Sequence, residues 1–214
     1  KHTRYRRQIE RITAKNGYTE NIEKAVKGAI ENIDSGCRSF VIYGEPQSGK
    51  TEMMITLTAR LLDHGFKIIV LLLNDNVQLL TQNLERFSRS NIDPAPRNYT
   101  EVIDPVLTIG EREWIIFSKK NSGDLNKLIE KIGDHPNKVI IDDEADYATP
   151  NSKINKGEKT KINELVEKLI GKDGVYIGVT ATPARLDLNN TFRNENERWV
   201  DFPPHPFYKG QSTF

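Results

Sequence analysis

Cysteine is nearly missing from this sequence. Cys37 is the only one in 214 residues, so no internal disulfide can form and a reducing, cytoplasmic setting is expected. The histidines His2, His64, His135 and His205 share no ligand spacing with Cys37, which argues against a structural zinc site. Long hydrophobic runs are missing too. The longest aliphatic stretch, "IIVLLL" (Ile68 to Leu73), is far too short to cross a bilayer, and no membrane partner is expected. A dominant charge is also absent: 31 Lys and Arg against 30 Asp and Glu leave a net +1, so total charge does not announce a polynucleotide binder. No signal-peptide pattern opens the chain. It starts at Lys1 rather than Met, and a processed chain or an excised fragment is therefore expected.

What is present, 36% apolar and 29% charged residues, suits a globular domain with a real core. The charge is uneven. Residues 1–15 carry Lys1, Arg4, Arg6, Arg7, Arg11 and Lys15 against Glu10 alone. Such an arm either contacts phosphate or forms a solvated helix face.

Periodicity alternates between two kinds of segment. Helical spacing occurs at Tyr5, Ile9 and Ile12, and again at Ile22, Val26, Ala29 and Ile33. It returns at Met54, Leu57 and Leu61, at Val77, Leu80, Leu84 and Phe87, at Leu125, Leu128 and Ile132, and at Ile162, Leu165, Val166 and Leu169. Between these lie short apolar runs: "FVIY" (Phe40 to Tyr43), "IIVLLL", "WIIF" (Trp114 to Phe117), "VII" (Val139 to Ile141) and "VYIGVT" (Val175 to Thr180). A further strand is expected at Val106–Ile109, loops at 89–105 and at the lysine-rich "PNSKINKGEKTK", and no regular structure after Leu186. Apolar strands separated by amphipathic helices predict an α/β fold with a mainly parallel sheet between helices. The expected division is an N-terminal basic helical segment over 1–36, the nucleotide-binding lobe over 37–185, and an irregular tail over 186–214.

In such a sheet, ligands bind beyond the carboxyl ends of the strands. Three motifs emerge there. "GEPQSGKT", Gly44, Glu45, Pro46, Gln47, Ser48, Gly49, Lys50 and Thr51, satisfies the phosphate-loop pattern between a strand and a helix. Gly44 and Gly49 let backbone N–H groups curl around a phosphate with no Cβ in the way. Lys50 brings a charge to the β- and γ-phosphates of a nucleotide, and the Thr51 hydroxyl ligates Mg2+. Next, "VIIDDEAD" drives a buried strand into a run of acids. Crowded carboxylates repel one another unless a cation lies nearby. On spacing, Asp143 holds the magnesium and Glu144 is the general base, with Asp142 an open alternative for the metal role. Last, "VTATP" places Thr180 and Thr182 where they could bond to Asp146 and sense the γ-phosphate.

Together these motifs resemble the first motor lobe of a superfamily-two helicase of the DEAD-like kind. "QSGKT", "SKKN" (Ser118 to Asn121), "IDDEADYATPN" (Ile141 to Asn151) and "GVTATP" are similar to the Z-one domain ATPases of bacterial and phage restriction and defence systems. That resemblance implies an ATP hydrolase coupled to movement on DNA or RNA, with DNA favoured, and a second RecA-like lobe in the same or another chain. It further implies that Asp146, Thr180 and Thr182 couple nucleotide state to the polynucleotide. Lys119 and Lys120, after the strand "WIIF", are candidate contacts to its backbone. No glutamine motif that reads adenine is evident upstream, which leaves ATP and GTP both open and speaks against the Asp-Glu-Ala-Asp RNA helicases proper. No arginine-rich second-lobe motif is found, so the isolated chain is expected to hydrolyse nucleotide weakly. The alternative is a regulatory phosphate-loop switch with no polynucleotide track, which has no need of Asp146 or the paired threonines.

Overall fold

Strand β2, Ile68–Leu73, is apolar at every position because both of its faces are covered. In the computed structural model, which describes residues 3–15, 17–44, 49–143, 156–180 and 200–202, all six of its side chains are buried. Beside it run β1 (Ser39–Gly44), β3 (Arg97–Asn98), β4 (Trp114–Lys119), β5 (Lys138–Asp143), β6 (Val175–Thr180) and β7 (Val200–Phe202). Their order across the sheet is β3-β4-β2-β5-β6-β1-β7, and every pairing is parallel.

The pleat sends alternate residues to opposite faces. Ile69, Leu71, Phe117 and Ile141 face one core, closed by α1 (Thr3–Ala14), α2 (Glu20–Asp34), α3 (Lys50–Asp63) and α4 (Val77–Arg89). Val70, Leu72, Ile140 and Tyr176 face the other, closed by α5 (Tyr99–Val102), α6 (Ser122–Ile132) and α7 (Lys156–Ile170). Each buried aliphatic side chain contributes roughly 1.5–3 kcal/mol by leaving water. The helix starts are set by local chemistry: the side chains of Asn76 and Asn121 accept from the N–H groups of Leu79 and Asp124 and cap α4 and α6.

Several expectations are corrected. The helices of residues 1–36 share the sheet's core, since Ile12, Ile22, Val26 and Ala29 belong to the same apolar cluster as Leu71. The carboxylate of Asp63, at the end of α3, accepts from the backbone N–H groups of Arg4 and Tyr5 and so caps α1 from another helix. No strand forms at 106–109. The indole N–H of Trp114 donates to the Ile109 carbonyl, and the short edge strand is Arg97–Asn98, inside the expected loop. Helix α7 begins at Lys156, earlier than the polar loop suggested, because Glu and Lys propagate a helix without an apolar signal. Val77 is exposed, so the buried stripe of α4 starts at Leu80. The tail contains β7, which pairs with β1; Val200 rests on α2, where a Cβ at Gly28 would lie 3.2 Å from its Cγ1.

Candidate nucleotide site

Three strand ends converge at one edge. β6 lies between β1 and β5; Tyr43 is in register with Thr180 and Asp143 with Val179. The phosphate-loop strand and the acidic strand are thus two strands apart, roughly 10 Å. Gly44 closes β1, and Gly49 opens α3 in the left-handed region at φ 91°, a conformation in which a Cβ would be strained. That turn sends Lys50 and Thr51 into the first turn of α3, at its positive end.

Lys50 crosses the gap. Its Nζ lies 2.8 Å from Oδ1 of Asp143. The approach is an ion pair by distance but off the line of a hydrogen bond, so the buried Oδ1 has no directional donor. Asp142 Oδ1 is in the same condition, so the two acids are told apart by the lysine each one faces. Among the described residues no three His, Cys, Asp or Glu side chains gather. Asp143 and Thr51 offer oxygen, the donor that magnesium takes.

Of the two acids left open by the sequence, Asp143 is therefore the one beside Lys50. Asp142 points to the opposite face, where Tyr176 Oη donates to its Oδ2 at 2.7 Å and Lys120 Nζ lies 2.8 Å from its Oδ1. Burial among apolar neighbours, reinforced by the Asp142 charge, pushes the Tyr176 hydroxyl well above its ordinary range and keeps it a donor.

The other candidates are placed as follows. Thr180 is buried at the end of β6. Lys120 is 2% exposed and engaged with acids, which counts against it as a polynucleotide contact; Lys119 is partly exposed, 3.6 Å from Asp124 Oδ2. Asn121 is the α6 cap. Of the loop lysines, Lys156, Lys159 and Lys161 fall on α7. Glu45, Pro46, Gln47, Ser48, Glu144, Asp146, Lys153 and Thr182 lie outside the described residues. Trp114 belongs to the core. In the basic arm, Arg4 pairs with Asp63 and Glu113, and Arg11 with Glu52, so both are neutralised within the domain.

Sequence reasoning missed Arg86 and Arg89. Both sit in the last turn of α4, and Arg86 Nη1 donates to Thr51 Oγ1 at 3.3 Å. With Arg11 and Lys15 they line a cavity of about 510 Å³ that opens onto Gly49, Lys50 and Thr51. Spacing within α4 shows two cations on one side of a helix; only its packing against α3 brings them to the phosphate loop.

Comparison with known proteins bears on the fold and the family. Residues 18–185 match the family model described as type III restriction enzyme, res subunit. The helicase domain of Hef from Pyrococcus furiosus superposes with a TM-score of 0.56 at 17% identity, covering 86% of this chain and 39% of that one. The ATP-dependent type ISP restriction-modification enzyme LlaBIII bound to DNA superposes at 0.53 and 20% identity, covering 77% of this chain and 12% of that one. This chain therefore spans well under half of either structure. No curated protein matches it. Among the described residues no helix is long and apolar enough to cross a membrane.

Proposed function

The chain belongs to the type III restriction enzyme res subunit family, as a helicase-type ATPase motor domain of superfamily two, and from that premise we propose that it is the first lobe of a nucleic-acid-dependent ATPase acting on DNA in preference to RNA. The carrying observation is the 2.8 Å approach of Lys50 to Asp143 across an intervening strand. The two motif residues that must serve one triphosphate already face one another.

In this reading the phosphate loop, Gly44 through Thr51, wraps the triphosphate with its N–H groups, and Lys50 leaves Asp143 for the β- and γ-phosphates. Magnesium, held through Thr51 and Asp143, would neutralise charge on those phosphates. Glu144 takes the proton of the attacking water. Asp146, Thr180 and Thr182 relay the presence of the γ-phosphate toward the polynucleotide, and a second lobe supplies the arginine that completes the site. Lys15 and Arg86 add positive charge beside the phosphate loop, while Arg11 and Arg89 are offset by Glu52 and Glu85. A likeness to Z-one ATPases, and with it a restriction or defence setting, rests on the strings "SKKN" and "IDDEADYATPN".

The test is Mg-ATP hydrolysis by the longest native form, with no polynucleotide and then with single-stranded DNA, duplex DNA and RNA. Lys50→Ala is expected to lose about a hundredfold or more in rate, as for removal of a preorganised transition-state donor. Stimulation by DNA is the expected result. An equal rate in every tube would overturn the motor and leave a phosphate-loop switch.

A further inference from the structure

We propose that Lys120 and Tyr176 are positioning residues that hold Asp143 in place from the opposite face of the sheet. The inference rests on the reading of Asp143 as the magnesium acid. Its basis is a closed network at the end of β5. The hydrogen-bond ladder between β2 and β5 runs only to the pair Leu72 and Asp142, so Asp143 has no partner on β2. Lys120 supplies one instead: its Nζ donates to the Asp143 carbonyl at 3.0 Å while lying 2.8 Å from Asp142 Oδ1. Lys120 is itself fixed, since its backbone N–H donates to the Leu73 carbonyl at 2.8 Å and its side chain is 2% exposed. From the other flank, on β6, the Tyr176 hydroxyl holds Asp142 Oδ2 at 2.7 Å.

Lys120, just past β4, thereby ties to β2 through its backbone N–H and to β5 through its ammonium, and Tyr176, near the start of β6, ties to β5 through its hydroxyl. Two buried acids meet two lysines, but the lysines differ in duty. Lys50 is partly exposed and can transfer to phosphate, whereas Lys120 stays with Asp142 and the backbone. A ligand carboxylate works only when its own support is fixed to within about 0.5 Å, and this network is that support. Lys120 thus serves the acids under the site, although its place after a strand end suggested a grip on phosphate.

The experiment measures binding of a fluorescent ATP analogue to the full chain as a function of Mg2+. The two readouts are affinity without metal and the Mg2+ concentration at half-maximal enhancement. Removing Lys120 alone would strand a buried charge, so Lys120→Met is paired with Asp142→Asn; Tyr176→Phe removes only a hydroxyl. The half-maximal Mg2+ is expected to rise about tenfold or more in the double variant and about threefold in Tyr176→Phe, with metal-free binding unchanged. Should the double variant unfold, the Tyr176→Phe shift decides alone. An unaltered Mg2+ dependence overturns the proposal, as does lost DNA affinity at unaltered Mg2+ dependence, which would make Lys120 a backbone contact. No magnesium effect in the unsubstituted chain would instead overturn the nucleotide-site reading, and this inference with it.

Discussion

Asp142 and Asp143 are neighbours in sequence and opposites in setting. The pleat of β5 turns Asp143 toward α3, where Lys50 reaches it with 22% of its side chain exposed. It turns Asp142 toward the other core, where Lys120 and Tyr176 enclose it at 2–4% exposure. Both acids have an ammonium at 2.8 Å. The difference lies in what each pair can exchange. The open pair can trade its lysine for a cation and a triphosphate; the closed pair has no such route and acts as a fixture.

The largest effect should come from breaking the two pairs one at a time. Asp142→Asn leaves Lys120 charged and buried, and should cost about 3–5 kcal/mol of stability. Asp143→Asn leaves Lys50 near water and should cost under about 1 kcal/mol, while abolishing the magnesium dependence of nucleotide binding. Urea melts of both variants, read beside nucleotide titrations, check the contrast. Equal destabilisation would show the two pairs to be equivalent.

That contrast also marks how much was legible beforehand. The place of Lys50 and Thr51 at the head of α3 was readable because the phosphate-loop pattern stands between a strand and a helix. The sequence could not tell which of Asp142 and Asp143 faces Lys50; the pleat of β5 turns Asp143 that way and Asp142 toward Lys120. Lys120 was misread as solvated or phosphate-bound. Carrying the alternation of β4 one step past its end, through Ile116 and Ser118, would have turned it inward. Arg86 stayed invisible because its approach to Thr51 depends on helix packing. The edge strands Arg97–Asn98 and Val200–Phe202 are too short to show a period.

The open side can be sharpened through Arg86. Its guanidinium donates to Thr51 Oγ1, whereas the neighbouring Arg89 is paired with Glu85 on its own helix. Arg86→Ala should weaken nucleotide binding about threefold to fivefold, an effect of roughly 0.7–1 kcal/mol typical of an exposed charge. Arg89→Ala should do less. Titrations at low and high salt provide the check, because raised ionic strength should shrink the Arg86 effect. A larger loss for Arg89 would reverse the assignment.

An effect of similar size belongs to the closed side. Tyr99, packed in the same core as Tyr176, donates to Asp124 Oδ1 at 2.5 Å, and Asp124 also accepts from Asn121, the cap of α6. That hydrogen bond, with burial adding to it, pushes the Tyr99 hydroxyl from 10.0 up to about 12. The folded state therefore holds this proton more tightly than the unfolded chain does. Its stabilisation is fully present below pH 10 and is lost as pH rises toward 12, where the unfolded tyrosine ionises first. Tyr99→Phe should cost about 1 kcal/mol at neutral pH, the net worth of one hydrogen bond, and should lack that alkaline decline. The measurement is the difference in urea midpoint between parent and variant from pH 8 to 12; subtraction cancels the titrations they share. A difference that stays flat through the alkaline window would show that the Tyr99 proton is held no more tightly in the fold than out of it.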